Sequence, residues 1–224
     1  QGVSSAASDV YKRQIVNNVG ATTLATTLMQ GEVQISTIEH MLSAFAGLGI
    51  DNAIIEIDDV EVPIMDGSSS SFVFLIQSAG IKEQTKPKKF IKIKEEISVE
   101  TDNGAFVKLS PYDGFKVTYS LVYDDDKHKQ YSSKSTIDFN STTYLKEISR
   151  ARTFGFMEEV NMLKDKNLAL GASEKNAIAI GEDGIINEEG LRSKDEFVKH
   201  KILDVVGDLY LLQYNIIGEF EGYK

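Results

Sequence analysis

The sequence predicts an α+β protein of two sheet-plus-helix layered domains with similar layout, divided near residue 85. Three observations carry this. Some segments repeat apolar residues at helical spacing, and others alternate them at strand spacing. Both halves mix the two kinds of element. The stretch EQTKPKK at 83–89 is charged, polar and holds one of only three prolines, which suits a linker.

Taken in order, the first fourteen residues, with SSAASDVYKRQ among them, match no pattern that follows. DVYKRQ is also what one reading frame of a transposon end used in sequencing-library preparation encodes. Residues 1–14 are therefore expected to be a non-native leader, set apart from the fold. The first domain is then 15–85, incomplete at its N-terminus. ATTLATTLMQGEVQIST at 21–37 has strand or loop character. TIEHMLSAFAGLGI reads as a helix with Ile38, Met41, Leu42 and Phe45 on one face, Ser36 or Thr37 as N-cap, and Gly47 and Gly49 as its stop. NAIIEIDDVEVPIM reads as a buried strand and turn, and DGSSSSFVFLIQSAGI as a helix with a serine-rich start.

The second domain, 86–224, is expected to be incomplete at its C-terminus. FIKIKEEISVE, AFVKLSPYD and FKVTYSLVYD alternate as antiparallel strands do. STTYLKEISRARTFGFMEEVNMLKDKN begins as a helix and resumes after a break. NAIAIGEDGIIN is a hairpin around Asp183–Gly184. FVKHKILDVVGD at 197–208 is a largely apolar helix that closes the second half.

The balance of charge narrows the function. A net charge of -10 and a pI near 4.9 argue against general nucleic-acid binding, which needs a basic footprint. With no cysteine, neither a disulfide nor a thiolate metal site is available. No apolar run approaches the roughly 20 residues of a membrane span. A cytoplasmic protein is the expectation.

The closing helix raises a chemical question, because His200, Asp204 and Asp208 fall at successive i, i+4 steps and form one polar stripe. Of the three histidines, His128 lies in the charged loop DDDKHKQ and reads as surface. His40 follows Glu39, and His200 precedes Asp204 by one turn. A single histidine so placed also fits a structural hydrogen-bonding role. Two, each beside a carboxylate, open a metal reading next to it. His200 and Asp204 can grip one ion from a single helical face, His40 can complete a three-ligand set, and a fourth position remains for water. Glu39 would then lie close enough to deprotonate that water, with Asp208 supporting from outside the ligand set. HxxxD alone is a weak motif, frequent by chance.

Four segments, ISTIEHMLSAFAGLGIDNAIIEID, VPIMDGSSSSFV, SRARTFGF and KDEFVKHKILDVVGDLYLL, resemble the signature blocks of the LpxC family, in order and at similar spacing. That family comprises zinc-dependent UDP-3-O-acyl-N-acetylglucosamine deacetylases of lipid A biosynthesis. The resemblance runs from about residue 20 to the last residue. It implies that Zn2+ is held by His40, His200 and Asp204 at the interface of the two domains, with Glu39 as general base. Thr153 falls on the family's carbonyl-binding threonine, Lys201 on the lysine beside its second zinc histidine, and Asp208 on the carboxylate that orients its general-acid histidine. That acid would follow residue 224, and another histidine-bearing segment would precede residue 15. The resemblance also implies an acyl channel around MLKDKNLALGASEKNAIAI, with Leu163, Leu168, Leu170, Ile178 and Ile180 as walls and Phe154 and Phe156 at the entrance. For each of these, ordinary core packing is an equal reading. The implied partner is a UDP-linked acylated glucosamine, and the implied state a monomer. Three rivals stand beside it: a different zinc amidohydrolase, a non-catalytic carbohydrate-binding or scaffold protein of the same fold, and a metal-binding fragment of weak activity.

Overall fold

The computed structural model describes residues 16–165, 169 and 171–224. The leader 1–14 and two expected channel residues, Leu168 and Leu170, lie outside the described residues. The fold mixes helix and sheet as expected. Strands β1 (Leu28–Gln30) and β2 (Val33–Ile35) form a small hairpin that leads into helix α1, Glu39–Leu48. Helix α2 follows at Ser70–Ala79. Strands β3 (Phe90–Lys92), β4 (Ile97–Glu100), β5 (Phe106–Ser110), β6 (Phe115–Leu121) and β7 (Ser133–Asp138) supply most of the main sheet. A short helical turn, Ser141–Thr143, runs into a π-type turn at Tyr144–Ile148. Strand β8 (Phe154–Phe156), helix α3 (Met157–Asp165), and strands β9 (Ile178–Gly181) and β10 (Gly184–Ile185) come next. Helix α4, Glu196–Tyr210, and strand β11, Asn215–Tyr223, end the chain.

The main sheet has the order β4-β5-β11-β6-β7, with β3 pairing the first residues of β11. β11 is central and runs parallel to β6 but antiparallel to β5. The sequence pattern gives no strand after α4; the structure adds β11, which lies between β5 and β6. The separate sheet β10-β9-β8 contains the expected hairpin around Asp183–Gly184.

Two further expectations are overturned. NAIIEIDDVEVPIM forms no strand in its first half, and Ile54 is 69% exposed. In its second half a single bridge forms around Glu61, where the Ser36 N–H donates to the Val60 carbonyl and the Val62 N–H donates to the Ser36 carbonyl. A strand without a neighbour leaves its N–H and C=O groups to water. Nor does a hydroxyl cap α1: the N-cap is Ile38, and Thr37, at φ 59°, donates its hydroxyl to Glu61 instead.

The core is built where α1 crosses α4 over the sheet. Ile38, Leu42, Val117, Ile202, Leu203, Val206 and Phe220 pack there. A second cluster holds Leu121, Phe156, Ile178, Ile180, Phe197 and Val198. α4 therefore feeds both clusters with its apolar residues, and its polar stripe is left to face α1. No helix among the described residues is long and apolar enough to cross a membrane.

The α1–α4 crossing is close because of Gly207. A Cβ there would lie 2.1 Å from the Glu39 carbonyl oxygen and 3.1 Å from the Ser43 nitrogen. In an open helix Gly→Ala gains about 1 kcal/mol of propensity. Here a backbone atom blocks the methyl, so the helices must separate, at a cost of about 1–3 kcal/mol. Gly207→Ala is thus expected to destabilise the protein despite its better propensity, seen as a lower urea midpoint. A rise would show that the crossing yields freely.

Candidate metal centre

The first turn of α1 supplies Glu39 and His40, and the middle of α4 supplies His200 and Asp204. Although 160 positions separate the two histidines, the crossing brings their rings edge to face, with centroids 4.9 Å apart. One potential ligand atom from each of His40, His200 and Asp204 lies within 4.8 Å of the others. Asp204 Oδ1 is 3.4 Å from His200 Nε2 and 3.6 Å from His40 Nε2. These separations are long for hydrogen bonds. They suit donors around one tetrahedral cation, where bonds of about 2.0–2.1 Å put neighbouring ligands roughly 3.3–3.4 Å apart. Asp204 Oδ1 and His40 Nδ1 are also buried without a hydrogen-bond partner among the described residues. Buried polar atoms rarely stay unsatisfied, so an orphaned carboxylate oxygen between two imidazoles fits a cation.

The electrostatics agree. Burial lowers the pKa of both imidazoles, that of His200 to about 3 despite the nearby Asp204 charge. Both are neutral near pH 7, the form that binds metal. His200 Nδ1 lies 3.0 Å from the Ala151 carbonyl oxygen. A carbonyl only accepts, so a neutral His200 carries its proton on Nδ1 and leaves the Nε2 lone pair facing Asp204. Burial would raise the Asp204 pKa, but His200, Lys201 and His40 together hold it below the usual carboxylate value. Its other oxygen accepts from Lys201 Nζ at 3.1 Å.

Glu39 and Asp208 flank this set. Burial, reinforced by the charges of Asp204 and Asp208, pushes Glu39 up to about 7. The backbone N–H of Thr26 donates to Glu39 Oε2 at 3.0 Å, and its hydroxyl to Asp208 Oδ1 at 2.8 Å. Asp208 is raised to about 6, chiefly by desolvation, although water reaches the residue. A carboxyl open on one side and crowded on the others accounts for both observations. Thr26 escaped the sequence reading; its clamp depends on tertiary contact that no local pattern signals.

The remaining candidates divide. Lys201 Nζ lies over the Phe154 ring at 5.4 Å, beside the ligands. Thr153 sits two residues beyond the Ala151 carbonyl, with its N–H donating to the Gly67 carbonyl at 2.7 Å. Phe154 and Leu163 are half-buried. Phe156, Ile178 and Ile180 are buried in the second core cluster, where ordinary packing would have them. His128 is not plain surface, because its ring packs on Phe156 at 4.0 Å.

Comparison with known proteins fits this geometry. The family model described as LpxC, UDP-3-O-acyl N-acetylglycosamine deacetylase, matches residues 2–224. A UDP-3-O-acyl-N-acetylglucosamine deacetylase of Pseudomonas entomophila (strain L48) is 57% identical over 207 residues, which is 92% of this chain and 68% of the relative. The enzyme of that name from Methylococcus capsulatus (strain ATCC 33009 / NCIMB 11132 / Bath) is 57% identical over 208 residues, 93% of this chain and 68% of the relative. With the match running through both helices of the candidate metal site, the chain belongs to the LpxC family.

Proposed function

We propose that this chain hydrolyses the N-acetyl group of UDP-3-O-acyl-N-acetylglucosamine and releases acetate, a step of lipid A biosynthesis, with zinc held by His40, His200 and Asp204. The observation that carries the metal is the orphaned Asp204 Oδ1 between two neutral imidazoles. Cysteine-free N/O donors suit zinc in its catalytic form, with three protein ligands and a position left open. When bound, the ion would supply a Lewis acid that polarises the amide carbonyl and acidifies a water.

The chain's own groups do the rest. Glu39, poised near neutrality, takes the proton of the attacking water. Thr153 and Lys201 serve as preorganised donors to the amide oxygen as negative charge grows on it. Asp208, clamped by Thr26, supports a proton donor for the leaving amine. For the acyl chain, Phe154 and Leu163 offer half-open apolar surface. Phe156, Ile178 and Ile180 back that surface from the core.

The reading is tested by following acetate release from the acylated sugar nucleotide and from its counterpart without the acyl chain, before and after chelation. Activity is expected on the acylated substrate, to fall by more than about 10²-fold on chelation, and to return with zinc. Activity untouched by metal removal would sink the metal reading. Equal rates on both substrates would favour a different zinc amidohydrolase.

A further inference from the structure

The most enclosed charges in the described structure lie just outside the ligand set. Glu196 opens α4 one turn before His200 and is 0% exposed, while Arg152 is 2% exposed. The Glu196 carboxylate accepts from the Arg152 backbone N–H at 3.1 Å, from Arg152 Nε at 2.9 Å and from Nη2 at 3.3 Å. The Arg192 backbone N–H also donates to it. Arg152 Nη2 reaches the Gly190 carbonyl at 2.7 Å, and Nη1 reaches Glu189. Arg192 Nη1 donates to Asp66 Oδ2 at 2.9 Å and to the Arg150 carbonyl at 3.0 Å. The backbone on both sides of Ala151 is thereby tied to the first turn of α4. Ala151 supplies the carbonyl that faces His200 Nδ1.

A buried ion pair is weak evidence for stability, since apolar side chains of similar volume often serve as well. What apolar side chains could not do is hold a peptide carbonyl in register with a ring nitrogen. α4 sets where the His200 Cα lies, but only a partner at Nδ1 fixes how the ring turns and which nitrogen keeps its lone pair. We propose that Glu196, acting through Arg152, is a positioning residue that holds the Ala151 carbonyl against His200 Nδ1 and so presents Nε2 for ligation. The same tie carries Thr153, the next residue after Arg152, to its place beside Gly67. This inference rests on the metal site proposed above.

Removing Glu196 alone would bury a guanidinium without its counter-charge, and unfolding could then explain any loss. The informative variant is Arg152→Met combined with Glu196→Leu, which replaces the pair by apolar side chains of like size. Three quantities are compared with the wild type: the thermal midpoint, zinc affinity by chelator competition, and the nitrogen-15 shifts of His200 in the metal-free protein. The expected result is a midpoint near the wild-type value, a zinc affinity lower by about 10–100-fold, as when an outer partner of a ligand is lost, and a mixed His200 tautomer. A folded variant that keeps both the zinc affinity and the Nδ1–H signature overturns the proposal. Failure of the paired variant to fold overturns it too, since the pair would then serve the fold itself. A wild type that binds no zinc would sink the metal site, while the tautomer in the metal-free protein would still decide the role of Glu196.

Discussion

Asp204→Asn is expected to lower zinc affinity by more than about 10³-fold and to take deacetylation down with it. Losing a mere outer partner of a ligand costs about 10–100-fold, and here a ligand and its charge go together. Asp204 is the one anion among the three donors, and its Oδ1 is the atom both Nε2 nitrogens face. Asparagine keeps the shape, so the loss cannot be laid to a cavity. It does turn its NH2 either toward Lys201 or toward the imidazoles, and neither arrangement replaces a carboxylate shared between a cation and an ammonium. The metal-free fold should change little, because Asp204 contributes one unsatisfied buried oxygen and a contact to a half-exposed lysine. The cleanest readout is therefore the zinc-dependent rise in thermal midpoint. A ligand at 1,000 times its Kd stabilises the native state by about 4 kcal/mol, and that increment should vanish. A variant that still gains it would show that the ion, if bound, sits elsewhere.

How much of this was legible in the sequence differs by element, for physical reasons. α1, α2 and α4 announce themselves because each has an apolar face at helical spacing and a glycine or polar boundary. β11 is hidden. Its inward residues are Ile216, Gly218, Phe220 and Gly222, so half of the buried row carries no side chain. The glycines are there because the Ile93 side chain would meet a Cβ at 218 within 2.6 Å and the Tyr119 ring a Cβ at 222 within 2.8 Å. Alternation cannot be read from residues that were selected for having nothing to show. NAIIEID errs in the opposite direction, since its composition is that of a strand but pairing needs a neighbour that composition does not supply. The stripe His200, Asp204, Asp208 was readable from spacing alone. Glu196 extends it by one more i, i+4 step and was equally visible. What was not visible is its partner: nothing local in SRARTFGF marks Arg152 as the buried arginine and leaves Arg150 to contribute only a carbonyl. The metal set itself became specific only through the resemblance, because HxxxD and a second histidine occur by chance in many helices.

Glu39→Gln is expected to leave zinc binding in place while kcat falls by about 10²–10⁴-fold, the usual range for losing a general base. The amide keeps the carboxylate's size, and its oxygen can go on accepting the Thr26 N–H that now meets Glu39 Oε2 at 3.0 Å. Geometry is thus preserved and basicity removed. Glu39 is well suited to that basic role: burial, with Asp204 and Asp208 beside it, raises its pKa to about 7 against the pull of two backbone hydrogen bonds. A bound cation favours the ionised form and draws the value down again, so the wild-type limb in kcat/KM should lie at or below about pH 7. The sign follows from the role. A base works deprotonated, so the wild-type kcat/KM rises with pH through that limb, and the variant should lack the rise. Zinc stoichiometry measured on the same preparations separates the alternatives. If metal and activity fall in parallel, Glu39 holds the site together and the proton must go to another group. If activity survives with its pH limb intact, the limb belongs to another residue, and Asp208, raised to about 6, is the next carboxylate to replace.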